Sequence, residues 1–355
     1  MKSKLIRRGL GLLTASGLVA AGALGVAPAQ AVTKTTLIIG DGLGWSSLNT
    51  ANPDENSAIN ADVAYLTGGP GFWYYDNKPS QVMNTKFGSF KVLTNKPGNF
   101  TVQYTINKGL VWSDGTPIDA VDMLLSHVVS SSVYSKAAGL GDPNNADVSP
   151  KFYSGGYGGS YDNHVVGVPV ISADHMSLTI KYDQYLSDWK VSTPGLWPVH
   201  ALEQLAAGKT TAQGAAANAA AKALFLKDFS AAVATTASAA KTAAQARMAA
   251  MGAKWTDGYN FDSSNYDGSN TLINISSGPF KLASYDHTTA TVTLVRNSKY
   301  NSGPALATKN PVQTVVFKYV ADGTASVQAL QNGDINLYQG NPGAAGLSTL
   351  QTLDT

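Results

Sequence analysis

The chain has 355 residues, with 25 Lys plus Arg against 23 Asp plus Glu and no cysteine. A formal charge of +2 excludes the strongly basic balance of a nucleic-acid-binding protein. The missing thiols exclude disulfides, iron–sulfur clusters, thiol catalysis and cysteine-rich zinc sites, and the length allows a sizeable core in more than one domain.

Residues 1–31 read as an export signal. Lys2, Lys4, Arg7 and Arg8 form a basic start, Leu10 to Val26 a mostly apolar run, and Ala27-Pro28-Ala29-Gln30-Ala31 a small-residue site that predicts cleavage before Val32. The rival reading, an uncleaved anchor, is disfavoured because the run is short and gives way directly to polar strand sequence. Arg7-Arg8 raises twin-arginine export, but Gly9-Leu10-Gly11 makes that motif poor. Removing these four cations turns +2 into −2, so the basic balance belongs to the signal. Without a cysteine the chain offers no lipoprotein anchor, which leaves release or retention by another route.

Thr35 to Ile39 is a short apolar strand, closed by a turn at Gly40-Asp41-Gly42 and Gly44. Trp45 to Ala64 is polar, predicting a long loop with a short helix. Gly68 to Gly71 then introduces Phe72-Trp73-Tyr74-Tyr75, four aromatics that cannot all point inward in a regular element. Either two rings are buried and two cover a loop, or one or two line a ligand cleft. Trp45, Trp73 and Tyr74 are the candidate ligand-binding residues, since each lies in or beside a loop that follows a strand or a glycine turn.

Gly88–Val92 and Thr101–Ile106 pair around Asn95-Lys96-Pro97-Gly98. Trp112-Ser113-Asp114-Gly115-Thr116-Pro117 is a turn leading into a helix over 120–134, where Val121, Leu124, Leu125 and Val128 recur at helical spacing. Residues 139–163, rich in Gly, Asn, Ser and Tyr, predict a surface loop. Val165–Ile171 and Met176–Lys181 read as a hairpin turning at Ala173-Asp174. Residues 202–253 are dominated by alanine, which predicts one or two long helices or a low-complexity surface excursion, with no chemistry in either case. Val315–Val320 feeds a helix over 323–332. Asp322 starts that helix, Ala325, Val327, Ala329 and Leu330 form its apolar face, and Asn332-Gly333 turns into a strand from Ile335 to Tyr338. The last residues, 346–355, carry no closing strand or cap signal.

No catalytic constellation emerges. His127, His164, His175, His200 and His287 are isolated, without metal-ligand spacing. Asp114 and Asp119 can each be satisfied by nearby backbone and so do not read as an acid pair. There is neither a G-x-S-x-G elbow nor a P-loop. His200 reads as a hydrogen bond that locks a turn.

Four stretches together resemble the extracytoplasmic solute-binding proteins of peptide and nickel ABC importers, family 5. They are Tyr104 to Met123 with Trp112, Asp114, Gly115, Thr116 and Pro117; Leu196 to Leu202, a P-x-H-x-L corner; Ser277-Gly278-Pro279-Phe280 with Arg296-Asn297; and Asp322 to Asn336 with Ala325, Ala329, Leu330, Gly333 and Ile335. Ser277 and Asn336 depart from the family's Thr and Asp. The resemblance implies an α/β, periplasmic binding protein-like II fold of the large peptide-binding type. Its first lobe would comprise 32–80 and 182–340, with an inserted β-rich subdomain at 81–181 and the alanine-rich excursion within the core. Family members are longer, so the resemblance also implies that the second lobe is largely missing, with 341–355 starting the crossing to it. The implied function is delivery of peptides to ABC permease subunits outside the membrane, with no enzymatic activity, cofactor, metal or nucleic acid. The intact protein would be a monomer and a single lobe prone to self-association. Open alternatives are another solute, such as a nickel chelate or oligosaccharide, and a non-binding exported structural or adhesion protein.

Overall fold

A computed structural model describes residues 35–138, 164–190, 192–261, 266, 268–340 and 343–353. The stretches read from sequence as an export signal, 1–31, and as a surface loop, 139–163, lie outside the described residues. β1 (Thr36–Asp41) is a near-continuous apolar run because it is flanked on both sides by parallel neighbours. β10 (Thr314–Tyr319) pairs with it from Thr36–Thr314 to Asp41–Tyr319. On the other side, β11 (Leu337–Tyr338) pairs at Ile39–Leu337 and Gly40–Tyr338. The hairpin of β8 (Phe280–Asp286) and β9 (Thr291–Arg296) extends the sheet antiparallel, in the order β11-β1-β10-β9-β8.

A second, antiparallel sheet has the order β4-β5-β7-β6, from Gly88–Lys96, Asn99–Ile106, Ser177–Tyr182 and Val170–Ile171 respectively. Strict alternation on β5 buries Phe100, Val102, Tyr104 and Ile106 on one face. β6 is shorter than the sequence suggests, because Pro169 lacks an N–H and Gly167 takes φ 73° just before it. A small hairpin, β2 (Trp73–Tyr75) with β3 (Gln81–Met83), lies before this sheet in the chain.

The helices are α1 (Ala58–Gly68), α2 (Ala120–Ser130), α3 (Ser132–Ala137), α4 (Val199–Ala206), α5 (Ala215–Ala232), α6 (Ala239–Asp257), α7 (Gly323–Asn332) and α8 (Gly343–Leu353). The helix expected over 120–134 breaks at Ser131, whose extended backbone lets its hydroxyl accept from Tyr134 N at 3.3 Å and start α3. The alanine-rich region is two ordered helices, α5 and α6, packed on each other and on α4, with Phe225, Phe229, Met248, Met251 and Trp255 buried. On α7 the buried positions are Ser326 and Val327; Ala329 and Leu330 are half-buried, and Ala325, expected on the apolar face, is exposed. The Ser326 hydroxyl is satisfied by Gly323 O at 2.7 Å, which lets a polar residue take the inward position. The strand expected from Ile335 is only β11, because the Asn336 side chain accepts from Ile38 N at 2.8 Å and bridges the gap in the ladder. The final stretch, read without any closing signal, is α8.

One contiguous apolar core includes Ile39, Leu294 and Phe317 from the first sheet and Phe100, Tyr104 and Leu178 from the second.

Candidate functional site at the carboxyl ends of the parallel strands

β10, α7 and β11 form a crossover whose two strands flank β1 in parallel, so three strands release their carboxyl ends at one edge. Open α/β sheets bind ligands in crevices of this kind, outside the strand ends where the chain departs to either side. Backbone bonds hold the three ends flush: Val320 N donates to Asp41 O at 2.8 Å and Gln339 N to Gly40 O at 2.9 Å. Asp41, 5% exposed, accepts from Leu43 N at 3.2 Å and fixes the turn, leaving Leu43 63% exposed at the rim. The Tyr338 hydroxyl lies 3.3 Å from the position a Cβ on Gly42 would take.

Asp62 of α1 reaches the same edge, hydrogen-bonded to the Gln339 side chain and within electrostatic range of Asp41. Burial pushes the Asp62 carboxyl above its ordinary pKa; the Gln339 bond opposes this, and the Asp41 charge adds to it. Two carboxylates, a phenol, an amide and an apolar rim suit a ligand with a cationic end and an uncharged body. The sequence marked this place only as a turn at Gly40-Asp41-Gly42. Asp62, Tyr338 and Gln339 come from distant stretches and carry no local signal.

The residues picked from sequence go elsewhere. Trp45 follows β1 but folds inward, 2% exposed, with its ring 5.2 Å from that of Phe317. Trp73 donates from Nε1 to Lys190 O at 2.6 Å and packs on Phe90 at 5.7 Å. Tyr74 pairs with Val82 in the β2–β3 hairpin. Phe72 is buried and Tyr75 exposed. Trp45 thus packs on the first sheet while Trp73 joins the aromatic cluster on the second.

Three of the four motif stretches meet in one buried polar network. The Asp114 carboxylate accepts from Thr116 N at 2.9 Å and Thr116 Oγ1 at 2.8 Å, and lies 3.1 Å from His200 Nε2. Burial favours its neutral form, but the His200 contact and the Thr116 bonds outweigh that and hold its pKa at about 2. Trp112 Nε1 donates to Asp122 Oδ2 at 3.1 Å, and Gly115 N donates to Trp112 O at 2.8 Å. Ser113 N donates to Ser276 O at 2.8 Å, and Lys299 Nζ to Asp114 O at 3.0 Å. Asn297 Nδ2 donates to Gly278 O at 2.9 Å and Asn297 N to Pro279 O at 2.8 Å; Arg296 N bonds Gln313 O. A Cβ on Gly278 would collide with the backbone of Leu66 and Thr67, so glycine is required for this close approach. The fourth stretch, Asp322 to Asn336, instead builds the β10–β11 crossover.

The alanine-rich region contributes to the network, contrary to its bland sequence. From α5, Asn218 Nδ2 donates to Thr116 Oγ1 at 2.6 Å, while Lys222 Nζ reaches Asp122 Oδ2 at 2.6 Å, Asp119 Oδ1 at 3.1 Å and Pro117 O at 2.7 Å. Burial works against the Lys222 ammonium, but Asp122 and Asp119 outweigh it and raise its pKa. One cation serves two carboxylates, and burial together with the Asp122 charge pushes Asp119 up. These groups are spent on each other, so the network is a brace.

Among the described residues no group of three or more His, Asp or Glu could hold a metal ion, and no helix is long and apolar enough to cross a membrane. No curated protein sequence matches the chain significantly. Among solved structures it is similar to a periplasmic EDTA-binding protein, EppA, at 18% identity and TM-score 0.58, over 90% of this chain and 46% of that one. It is also similar to the oligopeptide-binding protein AppA from Bacillus subtilis, in complex with a nonapeptide, at 16% identity and TM-score 0.50, over 84% of this chain and 43% of that one. An oligopeptide-binding protein from Thermus thermophilus, complexed with a pentapeptide, matches at 16% identity and TM-score 0.50, over 85% and 44% respectively. The chain therefore spans less than half the length of each, and what they share with it is the mixed α/β, periplasmic binding protein-like fold. The middle portion of the bacterial extracellular solute-binding proteins, family 5, matches residues 91–353, which takes in all four motif stretches. The chain belongs to that family, the bacterial extracellular solute-binding proteins of family 5.

Proposed function

We propose that this chain is a non-catalytic solute-binding component of an ABC importer, and that it takes a peptide by its amino-terminal end at the carboxyl edge of β11, β1 and β10. The observation that carries the reading is the pairing of Asp41 with Asp62 beside Tyr338 and Gln339 at that edge. A peptide ammonium is a cation with three donors, and charge-assisted bonds to carboxylates are the strong kind. The oligopeptide-binding proteins of Bacillus subtilis and Thermus thermophilus, which share the fold, support a peptide ligand. Two carboxylates speak against an anionic chelate of the sort an EDTA-binding protein takes. We further read 32–80 with 182–340 as one lobe and 81–181 as an insertion. In support, β1 pairs with β10 and β11, whereas β4, β5, β6 and nearly all of β7 fall within the insertion. Calorimetry with trialanine and N-acetyl-trialanine tests the site. Trialanine should bind at least tenfold more tightly than the acetylated form, and Asp62→Asn should erase the difference. Equal binding of the two peptides would remove the ammonium from the site.

A further inference from the structure

A second feature lies away from the strand ends, on α4, α5 and α6. A groove of about 450 Å³ runs between these helices, lined by alanines such as Ala206, Ala217 and Ala221 and by Leu224. Glu203 of α4 also lines it, 8% exposed. Among the described residues its carboxyl makes no hydrogen bond or ion pair. A nearly buried carboxyl that opens only onto a groove and has no protein donor is poorly solvated, and a cationic donor entering the groove would improve on the water there.

The charged neighbours do not supply the missing partner. Arg247 of α6, whose side chain is 46% exposed, gives both its Nε and a terminal nitrogen to Asp228 of α5, each at 2.6 Å. That bidentate pair neutralises the nearest cation. Lys209, just past α4, is exposed at the rim. Gln204 is turned the other way, donating to Asn218 at 2.6 Å. What remains is a mostly apolar trough with one carboxyl, Glu203, at its wall that no protein cation or donor bonds, and its volume is that of a small-molecule pocket.

We propose that this groove binds a compact hydrocarbon carrying one ammonium group, with the ammonium on Glu203 and the hydrocarbon body along the alanines and Leu224. An ammonium fits better than a neutral donor, because a charge-assisted bond in a sheltered site is about twice as strong as a neutral one. Burial, and then the Asp228 charge, raise the Glu203 pKa to about 7 against the pull of Arg247, so near neutral pH the carboxyl is partly protonated. Binding of an ammonium therefore releases protons.

Calorimetry with cyclohexylammonium and with cyclohexanol, at pH 7 in buffers of different ionisation enthalpy, tests this. Cyclohexylammonium should bind at least tenfold more tightly than the alcohol and release a fraction of a proton. Glu203→Gln should reduce amine affinity at least tenfold while leaving the alcohol unchanged. Ala220→Phe, an exposed substitution that fills the groove, should abolish binding of both probes, which keeps the test open if the glutamine variant folds poorly. Absence of amine binding, or binding without proton release and indifferent to Glu203→Gln, would overturn the proposal.

Discussion

Lys222 shows how much a single side chain holds together. It neutralises Asp119 and Asp122 while almost wholly enclosed, so removing it leaves two buried carboxylates without a cation. Lys222→Met should cost about 3–5 kcal/mol in urea unfolding, as for other broken buried pairs. Adding Asp119→Asn should recover part of that loss; no recovery would mean that the aliphatic stem of the lysine, not its charge, is what matters. Glu203 makes the opposite prediction, with a definite sign. Its pKa rises from an ordinary 4.5 to about 7 on folding, so between these values the unfolded chain gives up a proton that the folded chain keeps. Stability should fall as pH climbs through that window and then level off. Glu203→Gln should therefore gain about 2–3 kcal/mol over the parent at pH 8 and little at pH 4, read from urea midpoints at the two pH values. The corner around Asp114, Thr116 and Pro117 was legible in the sequence, because its turn chemistry is local. Its partners were not, since Asn218 and Lys222 lie about a hundred residues away in a stretch whose alanines conceal them.

Among the elements, α7 was the most legible. Asp322 caps it by accepting from Ala325 N at 2.8 Å, and Gly333 ends it in the left-handed region at φ 77°. Gly333→Ala should cost about 1 kcal/mol, since a side chain there meets the strain glycine avoids. Ala325→Glu, on the exposed side, should stay within about 0.5 kcal/mol of the parent by thermal unfolding. A large loss at Ala325 would mean that the alanine side of α7 faces a partner. The sequence rotated this helix slightly because Ser326 is polar, and only a return bond to Gly323 allows it inside. The two alanine helices were legible as helices and not in their facing. Alanine recurs on every side, so no periodic stripe says which side meets α4. The candidate aromatics lie away from the strand-end crevice for a related reason. A position after a strand or glycine turn marks a loop, whereas whether its ring turns outward depends on neighbours such as Phe317 and Lys190 that local pattern does not reveal.

At the scale of the molecule, the two sheets are tied by bonds that cross between them. Ser276 N donates to Ser113 Oγ at 3.0 Å, Asn84 Nδ2 to Ser302 O at 2.7 Å and Asn301 Nδ2 to Gly109 O at 2.8 Å. Their buried faces join in one apolar core. The crevice at the strand ends and the antiparallel sheet therefore cannot open independently without exposing a shared interior and breaking these ties. Native-state hydrogen exchange should show amides of β1 and β10 and amides of β5 and β7 reaching the same opening free energy. A peptide bound at the strand ends, at a concentration a hundred times its Kd, should then raise both sets together by about 2.7 kcal/mol, because ligand that holds the native state protects whatever unfolds with it. If only β1 and β10 gained protection, the antiparallel sheet would be a separate cooperative unit. The cross-sheet bonds would then position the crevice without sharing its stability.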